Sequence, residues 1–281
     1  MKLKFSKMHG TGNDYIYVNG FTEHLDNPSE TAIKLSDRHF AIGSDGLIIV
    51  APSDVADVRM IMYNSDGSEG KMCGNGIRCV AKYAYDHGLT DKKVMQIETA
   101  SGIKTIEVTV NDENKVEYAK VDMGKAILNP KDIPMSVEGE SFIAKEFEVK
   151  GIKYTATAVS MGNPHLVIFM KGIDGLDLDR IGPDFENHPL FPEKVNTEFV
   201  EVIDGHNFNM RVYERGTGET MSCGTGTCAV TVAAVLNGYA EHGEELNIHI
   251  KGGTLKDTYY EDGTVIMKGM ATHVFDGEIE I

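Results

Sequence analysis

Two cysteines stand where a thiol is readily put to chemical work. Cys73 opens the run "CGNG" and Cys223 opens "CGTG", and helix-forming residues follow each. A cysteine at a helix entrance meets unpaired backbone N–H groups and the positive end of the helix dipole. That placement is expected to lower the thiol's pKa, so that thiolate is accessible near neutral pH. The N–H groups of Gly74-Asn75 and Gly224-Thr225 would hold a carboxylate or phosphate beside the sulfur. The glycines let a ligand approach the backbone closely. Each corner thus offers a base and an anion cradle. Two corners sharing one carboxylate would set a sulfur on either side of its α-carbon. One thiolate would remove the α-proton while the opposite thiol delivers another, a stereoinversion. Repulsion between two thiolates favours a singly ionised pair. Two helix ends on one carboxylate would stabilise the developing carbanion. Such a step calls for no dedicated cofactor.

The elements that must position these corners come in two copies. Shifted by 150, the sequence meets itself at Tyr63/Tyr213, Glu69/Glu219, Cys73/Cys223, Gly74/Gly224, Gly76/Gly226, Val80/Val230, Ala84/Ala234 and Gly88/Gly238. Roughly one or two identities would be expected there from average composition. Gly12-Asn13 falls on Gly162-Asn163 at the same shift. Each copy starts with a strand-like run, "YIYVNGF" or "HLVIFMK", followed by "DVRMIMYN" or "FNMRVYER". After the corner, "IRCVAKYAYDHG" and "TCAVTVAAVLNG" read as helices closed by glycine. The second is almost wholly apolar, as a buried helix is. Alternating strands such as "KTIEVTV" and "TVIMKG" come next. The pattern predicts an α/β (α+β) fold with two pseudo-symmetric domains. Each is expected to be a curved, barrel-like mixed or antiparallel sheet around a central helix. The domains are expected at 1–124, joined by a returning strand at 271–281, and at 125–270.

Composition narrows the function classes. The 281 residues carry a formal net charge of −16 and 41% hydrophobic residues, enough for packed cores. An acidic chain offers no clustered positive field for nucleic acid or an anionic membrane. No run approaches the roughly 20 apolar residues of a membrane span, and no secretory leader is visible, so a soluble cytoplasmic protein is expected. Cys79 and Cys228, inside the helices, read as small buried apolar residues. A structural zinc site is disfavoured, because the cysteine spacings are x5 and x4 and one partner of each pair lies in a helix. "GTGTCA" (224–229) is a weak dinucleotide fingerprint without a strand directly before it. A covalent thiol nucleophile would want a histidine beside one cysteine, and would not explain two symmetric sulfurs. His165, in "GNPH", fits a surface turn as well as a site.

At these residues the chain resembles the diaminopimelate epimerase family, essentially end to end. The resemblance rests on "KMHGTGNDY" (7–15), "YNSDGSEGKMCGNGIRC" (63–79), "SMGNPH" (160–165), "YERGTGE" (213–219) and "SCGTGTCA" (222–229). It implies interconversion of LL- and meso-2,6-diaminopimelate without pyridoxal phosphate or metal, in lysine and peptidoglycan precursor synthesis. It makes Cys73 and Cys223 the acid/base pair, with Cys223 the base toward the meso product. Gly74, Asn75, Gly224 and Thr225 would cradle the reacting carboxylate. Asn13, Asn64, Asn163, Asn196, Glu214 and Arg215 would line the substrate pocket, and His165 and Glu214 would assist catalysis. Gly46 departs from relatives that place a substrate-contacting glutamine there, so no side-chain contact is expected at 46. The family implies a homodimer. The repeat is asymmetric where Asn64-Ser65 matches Glu214-Arg215, so these residues should read the substrate's distal end, Arg215 as a carboxylate fork and Glu214 as an ammonium partner. The alternatives are a related proline or hydroxyproline racemase-type enzyme, and a dicarboxylate-binding module without catalysis.

Overall fold

The computed structural model describes residues 2–281. They divide into two compact units, residues 2–122 with Lys268–Ile281, and Met123–Met267. The first contains β1 (Lys2–Gly10), β2 (Asn13–Asn19), α1 (Pro28–Ser36), β3 (Gly46–Ala51), β4 (Val58–Asn64), β5 (Glu69–Gly70), α2 (Gly74–Asp86), β6 (Val94–Thr99), β7 (Gly102–Val110) and most of β8 (Val116–Lys125). The second contains β9 (Lys145–Val149), β10 (Ile152–Ser160), β11 (Pro164–Phe169), α3 (Leu178–Glu186), β12 (Asn196–Val202), β13 (Asn207–Glu214), β14 (Gly218–Glu219), α4 (Gly224–Leu236), β15 (Glu245–Ile250), β16 (Gly253–Tyr259) and the start of β17 (Thr264–Met270). β18 (Thr272–Glu280) returns to the first unit and pairs antiparallel with β1. Among the described residues, no helix is long and apolar enough to cross a membrane.

The repeat read from the sequence recurs in the elements. β1 and β10, α1 and α3, and α2 and α4 keep the offset of 150 at both ends. Pairing repeats as well. β2 runs parallel to β3 with Tyr15 opposite Gly46, and β11 runs parallel to β12 with His165 opposite Asn196. Antiparallel β3–β4 and β12–β13 follow, then parallel β4–β6 and β13–β15. Each unit is thus a mixed sheet.

The sheet of each unit encloses its helix, and α4 has little polar surface to show. α2 touches β1, β2, β3, β4, β6 and β7, and α4 touches β10, β11, β12, β15 and β16. One helix reaches that many strands of its own sheet only if the sheet curves around it. In α4 every residue from Gly226 to Ala234 is buried. Its Val and Thr are mediocre helix formers, so burial rather than propensity sustains it. Gly88 and Gly238 stop the two helices in the left-handed region, at φ 71° and 75°.

A shorter helix covers the other face. α1 packs on β3 and β4, and α3 on β12, β13 and β14. This sandwiching explains why "LIIV" in β3 is an unbroken apolar run: a strand buried on both faces does not alternate. Asn27 caps α1 with Pro28 at its first turn, and Asp177 caps α3. Phe185 fixes α3, its ring centroid 5.1 Å from those of Tyr154 and Phe199.

An ion cluster holds the hairpin that leads into Cys223. Arg211 on β13 forks onto Glu219 on β14 at 2.8 and 3.0 Å, and Lys251 reaches the same carboxylate at 2.8 Å. Burial works against ionising Glu219, but Arg211 and Lys251 prevail and hold its carboxyl below the usual range. A depressed carboxyl stabilises the fold above its unfolded pKa of about 4.3 and loses that contribution as pH falls through the lower folded value. Stability measured by denaturant titration is therefore expected to drop across that acid window. Glu219→Gln should flatten the drop and cost about 1.5–3 kcal/mol near pH 7. An unchanged acid dependence in the variant would remove Glu219 from this role.

Candidate active site

Cys73 is the N-cap of α2, with extended backbone angles, and its Sγ accepts from the Gly76 N–H at 3.3 Å. The thiol also donates to Asn13 Oδ1 at 3.2 Å. Asn13 is fixed from behind, its amide donating to Asp45 Oδ2 at 2.7 Å. Arg38 ties Asp45 to Asp14 at 2.9 and 2.8 Å, and Lys7 bonds Asp14 and the Gly43 carbonyl. Beneath the helix start, buried Arg78 donates to Gly74 O at 3.1 Å and to Asn75 Oδ1 at 2.9 Å. The turn that presents Asn13 needs left-handed backbone at Thr11 and Gly12.

The second unit builds the same corner with different neighbours. Cys223 is the N-cap of α4, is 5% exposed, and has its Sγ 3.6 Å from Thr225 Oγ1. Where the first unit has Tyr15, the second has His165. It is fully buried, with Nδ1 2.6 Å from Glu198 Oε1 and Nε2 3.1 Å from Asn163 Oδ1. Glu214, at the end of β13, accepts a hydrogen bond from the Thr220 hydroxyl. One ligating atom from each of His165, Glu198 and Cys223 lies within 4.8 Å of the others. A soft divalent ion accepts such a donor set, but two of the three are already joined by the short hydrogen bond.

The lowered thiols expected from the helix ends are not found. Burial pushes Cys73 up, and the N–H groups of Gly76 and Asn75 with the charge of Arg78 only moderate the rise. Cys223 is pushed well above the ordinary range by burial and then by the negative charges of Glu214 and Glu198. Helix-end donors act over one turn, whereas desolvation penalises the whole thiolate. The two corners therefore differ: a cation lies under Cys73 and two carboxylates act on Cys223, leaving Cys73 the easier of the two to ionise. Burial also raises Glu214, against hydrogen bonds from Thr220 and Cys223. Cys79, inside α2, is buried and raised to about 11, as an apolar core residue.

The remaining sequence-selected residues fall into the same two groups. In the first unit, Asn64 sits at the end of β4 opposite Gly46, its amide 3.0 Å from Ser68 Oγ. A Cβ on Gly46 would lie 2.1 Å from the Tyr63 carbonyl, so this backbone excludes any side chain there. In the second unit, Asn196 takes the place of Gly46. Its Oδ1 accepts from the Arg215 N–H at 2.9 Å, and its buried Nδ2 has no partner. Arg215 is exposed, with Nη1 on Glu193 O at 3.0 Å, and Glu186 Oε1 holds the Gly216 N–H at 2.9 Å. Asp45, Tyr15, Thr220 and above all Glu198 escaped the sequence reading. All four break the repeat, where Asp45 meets Val195, Tyr15 meets His165, Thr220 meets Gly70 and Glu198 meets Ile48. An open recess of about 410 Å³ along β1 and β18, lined by Phe5, Tyr83, His87 and Asp276, contains none of these residues.

The sequence profile of the family described as diaminopimelate epimerase matches residues 5–129 and 157–274. The chain belongs to the diaminopimelate epimerase family. It is similar to the diaminopimelate epimerase of Desulfovibrio desulfuricans, with 54% identity covering 99% of both chains. It is similarly close to that of Acetivibrio thermocellus, at 52% identity and 99% of both. Among solved structures it shares its fold with a PhzF-family phenazine biosynthesis protein of Bacillus anthracis, at TM-score 0.69, 18% identity and 100% of both chains. A probable proline racemase from Agrobacterium radiobacter is alike at TM-score 0.67 and 14% identity, covering 99% of this chain and 93% of that one. Membership in the diaminopimelate epimerase family makes the chain an isomerase, and both N-cap cysteines lie within the matched segments.

Proposed function

We propose that the chain interconverts LL- and meso-2,6-diaminopimelate in lysine and peptidoglycan precursor synthesis, with Cys73 and Cys223 as its two acid–base groups. The observation that supports this most is the pair of N-cap cysteines at one offset, each in a family-matched segment. One thiolate takes the α-proton and the other thiol gives its proton to the opposite face of the carbanion. Proton and charge balance, and the two sulfurs exchange states at each turnover. N–H groups at Gly74-Asn75 and Gly224-Thr225 hold the α-carboxylate as charge builds on it. Glu214 takes an ammonium, and Arg215 the distal carboxylate. A raised thiol pKa makes the thiolate a stronger base but a scarcer one near neutral pH. An ammonium beside Glu214 would also offset one of the two charges that keep Cys223 protonated.

The purified chain is expected to convert LL-diaminopimelate to the meso isomer, read by chiral chromatography, with no pyridoxal phosphate, nicotinamide or metal added. Proline should be inert, lacking the distal groups for Arg215. Turnover of proline alone would assign the chain to racemase-type chemistry, and binding of diaminopimelate without turnover would leave a binding module. Sedimentation of the whole chain reads the homodimer implied by the family.

A further inference from the structure

The two corners share one design, yet their floors differ. A Cβ on Gly76 would lie 2.8 Å from Ile48 Cδ1, whereas a Cβ on Gly226 would lie 2.8 Å from Glu198 Oε1 and 3.2 Å from Cys223 Sγ. The repeat has thus put a carboxylate in the second unit where the first has a methyl group. Glu198 is fully buried on β12. Burying a carboxylate costs several kcal/mol unless something repays it, so a strand position that takes Ile in one copy does not gain stability from Glu in the other. One oxygen bonds His165 Nδ1 at 2.6 Å and the other has no partner. The carboxylate therefore has one structural task, and it is aimed at the imidazole beside the thiol.

We propose that Glu198 is the positioning residue of the second corner: its carboxylate fixes the His165 ring through Nδ1 and holds it against the Cys223 thiol. A ring held only by Asn163 could turn about its χ2 axis and put carbons where its two nitrogens stand. With Nδ1 bound to Glu198, Nε2 stays where Asn163 meets it, and imidazole, thiol and Glu214 keep one geometry. Glu198 also adds a negative charge next to Cys223. Cys73 has neither device, since Tyr15 and Ile48 occupy the matching places. The chain therefore tunes its two thiols by different means, and the second depends on a residue outside the glycine-cysteine motifs.

The kinetic arm of the test rests on the epimerase reading, and the chemical arm does not. Glu198→Ile, which copies the first unit, is expected to lower kcat about 10- to 100-fold with KM within about threefold. Glu198→Gln, whose amide oxygen still accepts from Nδ1, should lose less. Combined with His165→Ala, Glu198→Ile should cost almost nothing further, because it acts through that ring. In the chemical arm, iodoacetamide labels both cysteines of the substrate-free chain and peptide mass spectrometry reads the two rates. In Glu198→Gln, labelling of Cys223 relative to Cys73 should rise about tenfold, because one of the negative charges opposing its thiolate is removed. Cys73 serves as an internal control for folding. Unchanged kcat in Glu198→Ile, losses that multiply with His165→Ala, or labelling that moves equally at both cysteines would each overturn the proposal. If Glu198→Ile does not fold, Glu198→Gln decides by the labelling ratio. A wild-type chain that fails to turn over diaminopimelate would sink the epimerase reading and leave the labelling arm standing.

Discussion

Cys73→Ala and Cys223→Ala are each expected to lower kcat for diaminopimelate by about two to four orders of magnitude, the usual contribution of a positioned acid–base group. Serine at either place should fail as well, because an alcohol is far too weak an acid to furnish a base near neutral pH. Cys79→Ala and Cys228→Ala should retain turnover. Both side chains are buried within the helices, so their loss should show as a lower melting temperature. Steady-state assays with a melting curve for each variant separate the two classes. Normal turnover by either of the first two variants would end the two-thiol account.

Arg215→Met is expected to raise KM for diaminopimelate about 10- to 100-fold with little change in kcat, since a hydrogen bond to a charged group contributes about 1.5–3 kcal/mol. The guanidinium is exposed and the Arg215 backbone N–H is held by Asn196 Oδ1, so the fold should tolerate losing the single Nη1 bond to the Glu193 carbonyl. Glu214→Gln should lower kcat and kcat/KM together, because Glu214 both takes an ammonium and acts on Cys223. A KM that ignores Arg215 would mean that other residues read the distal end of the substrate.

The corners were legible because their chemistry is local. A cysteine followed by glycine and a helix needs only a few neighbouring residues to be recognised, and the 150-residue offset then doubles the signal. The fold was legible for a related reason, since two long glycine-closed helices among short strands leave few architectures. The nine-residue helices α1 and α3 were missed: each is short, and only Asn27-Pro28 and Asp177 mark their starts. The thiol pKa was misread because the helix end is visible in sequence and desolvation is not. Glu198 was hidden by its own pattern. In "NTEFVEV" an acidic residue between Thr and Phe reads as an ordinary solvent-facing strand position. Only the tertiary fold turns it inward, toward His165.

Deuterium exchange in the first turnovers tests the central claim most directly. The chain is mixed with LL-diaminopimelate in deuterated buffer, and substrate and product are sampled before the reaction nears equilibrium. If one thiol removes the α-proton and a second delivers its own, product gains deuterium at one α-carbon while the remaining substrate keeps its hydrogen. Deuterium entering the remaining substrate as fast as the product would mean that a single group serves both faces, and would contradict the assignment of Cys73 and Cys223 as a pair.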